Sequence, residues 1–370
     1  MRKTARGLPA ADPGIDVAVR EAIAWLRRAQ DWSSTKDGGV ARHYSLVDGW
    51  AQSYPETTGY IVPTILDYAR RTGDDELLQR GKRMLDWLLS IQFPSGAFQG
   101  GVIGQQPLVP VPFNTGQILL GLAAGAEEFG QPYRNGMIRA ADWLARTQDT
   151  DGCWRTYPSP FARPGEKTYE THVAWGLFEA ARVEPERHYE KAALANVRWA
   201  LTHQKRNGWF ASCCLTDPRM PLTHTLGYAL RGVVEAYRFG REERLLAAAC
   251  RSADGLLTAL RDDGFIPGRL SEEWKPAAPW ACLVGTAQIA YCWLALFRLT
   301  GEARYRDAAY AANRYVRCAQ DVSERLQARG GITGSFPING EYGAFQYLSW
   351  AAKFFIDSNL LEKEVREERL

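Results

Sequence analysis

Two short runs concentrate groups that can move protons, Tyr54-Pro55-Glu56-Thr57 and Tyr169-Glu170-Thr171-His172, and a third, Thr223-His224-Thr225, adds an imidazole. Phenol, carboxylate and imidazole are the side chains of general acid–base chemistry. Of five histidines, His172 and His224 open apolar segments, whereas His188 and His203 lie in amphipathic ones and read as surface residues. Each candidate also has a plain packing role: a histidine capping a helix start, a tyrosine buried with its hydroxyl satisfied, a glutamate offsetting a helix dipole. Tyr54, Tyr169, His172, His224 and Glu56 form the expected catalytic set.

Around them stand groups suited to holding a polar, acidic ligand. Arg42, His43, Asn114, Arg155, Glu170 and Glu341 supply charge and hydrogen bonds, and Trp50, Trp154, Trp209, Trp280 and Tyr342 supply aromatic faces. Aromatic rings stack on sugars or line hydrocarbon pockets, while interleaved arginines favour an anionic partner. Glu56, Glu170 and Glu341 occupy comparable positions, and a pair of carboxylates would suit a glycoside hydrolase. Cys213, Cys214, Asp217 and His224 fall within one segment and leave a zinc site open, against the commoner case of inert buried cysteines. No cofactor motif occurs, and no cofactor is expected.

The formal charge of +3, without a long basic run, argues against a nucleic-acid partner. Seven cysteines without a CxxC pair fit a reducing compartment. The N-terminus lacks the apolar stretch of a signal peptide, and no twenty-residue apolar span is evident, so a cytoplasmic location without a transmembrane segment is expected.

The elements that position these groups repeat. Trp87, Trp143 and Trp199 are spaced by 56 residues, Gln92, Gln148 and Gln204 keep the step, and so do Gly96, Gly152, Gly208 and Gly264. One supersecondary unit is therefore reused. Its amphipathic half predicts surface helices over 17–29, 76–90, 133–147, 188–203, 242–260 and 304–320. Its other half is apolar nearly all round, which demands burial, with starts near Thr57, Thr115, Glu170, Thr223, Val284 and Tyr342. Six such hairpins cover one another's apolar faces only by closing. The expected fold is all-α, an (α/α)6 toroid spanning residues 1–370 as one domain, with 1–14 a flexible segment. No strand-rich segment competes with it. Glycine turns after the inner helices are short, whereas the outer-to-inner connections run to some twenty residues, so functional groups should gather where the inner helices begin.

The element Trp143-Leu144, Gln148, Gly152, Trp154 resembles the QW repeat of squalene cyclases and the related repeats of protein prenyltransferases, which implies a toroid and leaves a terpenoid cyclase or prenyl-binding role as one alternative. No DxDD acid motif accompanies it. The run Trp50-Ala51-Gln52-Ser53-Tyr54-Pro55-Glu56-Thr57 resembles the Trp-x3-Tyr-Pro-x-Thr segment of D-glucuronyl C5-epimerases, with Ser53 where that family has Glu, and Tyr169-Glu170-Thr171-His172 is similar to a later segment of the same family. That resemblance implies proton transfer by Tyr54 and Tyr169. Toroidal polysaccharide lyases use the same residue types. The expected activity is thus C5 proton abstraction on a uronate-containing oligo- or polysaccharide, as epimerase or lyase, with glycoside hydrolysis as the other alternative.

Overall fold

A computed structural model describes residues 11–368. Twelve α-helices alternate between two concentric rings. The outer ring comprises α1 (Ile15–Asp31), α3 (Asp75–Ser90), α5 (Tyr133–Thr147), α7 (Glu190–Thr202), α9 (Glu243–Thr258) and α11 (Ala303–Ala319), and the inner ring α2 (Pro55–Thr72), α4 (Pro112–Phe129), α6 (Thr171–Val183), α8 (Thr223–Gly240), α10 (Leu283–Thr300) and α12 (Ser349–Glu367). Each inner helix packs on the next, and α12 packs on both α1 and α2, so the ring closes. The chain is an (α/α)6 toroid. Helix α10 is long and apolar enough to cross a membrane by composition, but most of it is buried inside the ring.

The repeated glutamine and glycine are what weld one hairpin to the next. Gln148 Nε2 donates to Gly152 O in its own turn and to Ala192 O on the next outer helix, both at 2.9 Å. Gln92 does the same with Gly96 and Gly136. Gly152 has φ 97, and a Cβ there would lie 2.4 Å from Ala195 O, so only glycine permits the approach. Two further copies were not legible at the 56-residue step: Gln30 reaches Gly38 O, and Gln320 reaches Gly330 O and Ala18 O across the seam of the ring.

Capping follows the sequence at most turns. Gly73 takes the left-handed C-cap after α2, and Asp74 accepts from Leu77 N–H at 3.1 Å to open α3. After α8 the left-handed residue is Arg241 rather than Gly240. The last inner helix begins at Ser349, not near Tyr342. Gly343 and Phe345 adopt φ 62 and 60, which no helix continues through.

Short strands, absent from the sequence expectation, staple the connections at the inner-helix starts. Strand β1 (His43–Ser45) lies between β2 (Gly49–Trp50) and β5 (Gln346–Leu348), all antiparallel; β3 (Ala281–Cys282) pairs with β4 (Ser335–Phe336). The first and last connections are thereby joined. Of the segment expected to be flexible, residues 1–10 lie outside the described residues, while Asp12 is held by Arg317 in an ion pair of 2.8 Å.

Candidate active site

Pro55 and Pro112 occupy the first turns of α2 and α4, where a missing N–H costs nothing and the preceding residue is held extended. Tyr54 is that extended residue before α2. Glu56 follows as the second residue of α2, and Asn114 is the third residue of α4. The three side chains meet: Asn114 Nδ2 donates to Glu56 Oε2 at 3.1 Å, and the Tyr54 phenol interacts with both. Arg42 reaches over them from the β1 connection, its guanidinium carbon 5.4 Å from the Tyr54 ring centroid and 5.3 Å from that of Trp350.

This cluster forms one wall of a cavity of about 880 Å³ at the face where the inner helices begin. Its lining includes Arg42, His43, Tyr54, Glu56, Asn114, Tyr169, His224 and Tyr342, eight of the sixteen residues expected from sequence. Phe113 lines it as well, and so do Tyr60, Tyr228 and Trp350, which were not anticipated. Two of these carried a usable signal, since Tyr60 lies four residues after Glu56 and Tyr228 four after His224, one turn deeper on the same helix face. The hydroxyl of Tyr60 is buried and interacts with that of Tyr228.

The remaining expected residues lie elsewhere. His172 is fully buried below the cavity, with Nδ1 2.6 Å from Gln117 Oε1 and Nε2 unpartnered. It and His224 flank Tyr228, each ring centroid 4.4 Å from the tyrosine. Trp50 packs among Trp25, Trp32 and Tyr44. Trp209 is buried against Trp274, and Trp280 is buried where glycines at 268 and 340 make room for it. Glu341 is exposed and paired to Arg269 at 3.1 Å. Trp154, Arg155 and Glu170 line a separate, smaller cavity. Ser53 turns away to Ser33, Thr35 and Asp37. Cys213 donates to Thr225 O and Asp217 pairs with Arg219, and among the described residues no cluster of three or more His, Cys, Asp or Glu is placed to hold a metal.

Burial sorts the cavity groups by charge state. It pushes the Glu56 carboxyl up to about 7, against the opposing pull of Arg42 and the Tyr54 hydrogen bond. Burial and the neighbouring Glu56 hold the Tyr54 phenol well above its usual range, and burial does the same for Tyr169, Tyr228 and Tyr342. His224 is pressed down to about 3 by burial, and His43 to about 4 by burial and the adjacent Arg42. At neutral pH the cavity therefore presents protonated phenols, neutral imidazoles, one cation and one carboxyl group poised between its two forms. Glu56 is the only carboxyl group among the described residues that line it.

A toroid with QW-like repeats and a cavity at its inner-helix N-termini that carries Arg42, Glu56 and Asn114 is thus the class to which fold and site assign the chain. In agreement, the family model of the squalene-hopene cyclase C-terminal domain matches residues 54–234. No curated protein shows a significant match to the sequence. Among solved structures, the chain is similar to an unsaturated glucuronyl hydrolase specific for heparin, at 15% identity and TM-score 0.76, covering 96% of this chain and 99% of that one. It is also similar to cellobiose 2-epimerase from Bacillus thermoamylovorans, at 10% identity and TM-score 0.74 with 94% and 98% covered. A D-mannose isomerase is similar at 11% identity and TM-score 0.75, with 97% and 100% covered. At these identities the likeness concerns the fold.

Proposed function

We propose that the chain is a carbohydrate-active enzyme that abstracts the C5 proton of a uronate residue in an acidic saccharide, as an epimerase or a lyase. The observation that carries this reading is the isolation of Glu56, one carboxyl group poised near neutrality among proton donors and beside Arg42. A base whose pKa lies near the working pH combines availability with driving force. The tyrosines stay protonated and act as donors, so the base is Glu56 rather than Tyr54 or Tyr169.

In the proposed step, Glu56 takes the C5 proton and the C–H electron pair moves into the adjoining carboxylate, which gathers a second negative charge. Arg42 and the Asn114 amide stand where that charge is offset. Reprotonation of C5 from the opposite face by a tyrosine gives the epimer; departure of the C4 oxygen, protonated as it leaves, gives an unsaturated product. The similarity in fold to an unsaturated glucuronyl hydrolase, a cellobiose 2-epimerase and a D-mannose isomerase favours a saccharide. Arg42, Glu56 and Asn114 in an otherwise largely aromatic wall favour a polar ligand over a terpenoid. Paired-carboxylate hydrolysis is disfavoured because Glu170 opens into another cavity and Glu341 is exposed.

Incubation with glucuronate-, mannuronate- and galacturonate-containing polysaccharides in deuterated water tests the reading. Deuterium at C5 indicates an epimerase, and a new ultraviolet-absorbing unsaturated end a lyase. Hydrolysis of a neutral glycan with neither signal on any uronate polymer overturns it.

A further inference from the structure

Behind the wall made by Phe113 and Tyr169, a second cavity of about 110 Å³ opens between the connection that precedes α6 and the first turn of that helix. At roughly 30 Å³ per water this is room for a few waters, so it suits one substituent of a sugar rather than a ring. Phe113, Ser159 and Tyr169 border both cavities, so the two adjoin across these side chains.

Two side chains in its wall are more than nine-tenths buried and short of partners. Lys167 is 8% exposed, and its ammonium forms no hydrogen bond or ion pair with the described residues. Glu170 is also 8% exposed, with Oε2 buried and unpartnered. Lys167 lies near enough to favour the ionised form of Glu170 without pairing to it, and burial outweighs that influence, lifting the carboxyl to about 8. Arg163, exposed at the cavity edge, adds a guanidinium that makes no ion pair among the described residues. Arg155 is already held by Asp149, Asp151 and Glu166. Of the two, only the Glu170 carboxyl oxygen is a buried atom without a partner; the Lys167 ammonium is not enclosed and is free to meet an anion.

We propose that this side cavity is an anion subsite, receiving a carboxylate or sulfate ester on the sugar next to the one held at Glu56, with Lys167 and Arg163 as counter-charges and Glu170 as hydrogen-bond donor. The substrate is then acidic at two neighbouring sugars. The proposal rests on the saccharide reading for the identity of the ligand, but the anion site can be probed without it.

Two measurements on the full chain separate the cases. First, methyl sulfate and acetate are titrated while the Trp154 indole N–H, which donates to Leu144 O at 3.0 Å and belongs to a ring lining the cavity, is followed by NMR. A saturable shift is expected, and its loss in Lys167→Met. Second, binding is compared for glucuronate linked to a neutral hexose, to a second glucuronate and to a sulfated hexose. The acidic second sugars should bind about tenfold tighter, the preference vanishing in Lys167→Met and weakening in the exposed-site variant Arg163→Met. Glu170→Gln, which keeps a donor, should retain it. The arm that binds better, glucuronate or sulfate, identifies the natural substituent. No Trp154 shift, or a preference intact in both cation variants, overturns the subsite even if uronides are turned over. A Lys167-dependent shift without binding of any uronide upholds the subsite and removes the saccharide reading instead.

Discussion

Asn114 donates to Glu56 at 3.1 Å across the gap between the first turns of two adjacent inner helices. The contact ties the proposed base to the packing of α2 on α4, because neither helix alone can form it. It also favours the ionised carboxylate, against the burial that raises its pKa. The rate of C5 proton exchange should therefore rise with pH through a midpoint near 7 as Glu56 ionises. In Asn114→Ala, which removes a donor to the charged form, the midpoint should move upward. Above that midpoint Glu56→Gln should lower turnover by ~10²- to 10⁴-fold, the usual range for a proton-transfer group. A Glu56→Gln variant retaining wild-type turnover would remove Glu56 as the base.

Arg42 spans the Tyr54 and Trp350 rings and is the cation of the main cavity. Its replacement by Met should raise KM for an acidic substrate and also shift the pH midpoint upward, since a positive charge that favours ionised Glu56 is gone. Trp350→Leu should raise KM without moving the midpoint, because it loosens the guanidinium but keeps the charge. Steady-state kinetics across pH separate the two. Identical profiles for both variants would mean that Arg42 acts through packing alone.

The welds between hairpins should matter to stability and not to turnover. Gln148→Ala deletes two hydrogen bonds to backbone carbonyls, and a loss of about 1–3 kcal/mol is expected from net contributions of ~0.5–1.5 kcal/mol each. Gly152→Ala should cost more, combining a positive φ with a Cβ 2.4 Å from Ala195 O. Urea unfolding gives both values. If the chain is one closed unit, tryptophan fluorescence and far-ultraviolet dichroism should report the same transition in wild type, and a stable proteolytic fragment of three or fewer hairpins would contradict that.

The repeat was legible because its cause is local and backbone-level. A glycine that must admit the next helix, and a glutamine that must reach two carbonyls, recur wherever the hairpin does. At the seam the spacing stretches, from Gln30 to Gly38 and from Gln320 to Gly330, because the first and last turns are longer, and the 56-residue register lost both. The cavity mouth was legible for the same reason, as every inner helix begins there. Depth was not. Trp209 and Trp280 share the rim segments with true cavity residues, yet they point into the packing between loops and outer helices. Tyr60 and Tyr228 lie one turn beyond the helix starts, where a tyrosine facing the lumen has the same local sequence as one packed in the core. Nothing in the local sequence marks Glu170 as opening into a side cavity rather than the main one; that depends on the position of Phe113 from a different helix.

His172 illustrates the distinction most directly, since it has the residue type of a catalyst and the surroundings of a core residue. It is fully buried, bonded to Gln117, and kept neutral by burial and by the nearby Arg231 and Lys353, its pKa well below the usual value. A histidine whose folded-state pKa is depressed contributes stability that is present above its unfolded pKa of ~6.5 and is lost as pH falls, because the unfolded chain takes up the proton first. Glu56 and Glu170, with raised values, contribute in the opposite sense, gaining stability on acidification from their folded pKa values of about 7 and about 8. The net pH dependence of wild type therefore mixes the two signs, and the difference between wild type and His172→Gln isolates one. Glutamine does not titrate, so the stability gap between the two proteins should narrow, or reverse, by about 1 kcal/mol per pH unit from pH 6 to pH 5. Turnover of His172→Gln should stay within a few-fold of wild type, whereas His224→Gln, whose ring lines the cavity, should raise KM. A pH-independent gap would mean that His172 protonates normally in the folded protein. A collapse of kcat in a well-folded His172→Gln would restore it to the catalytic set.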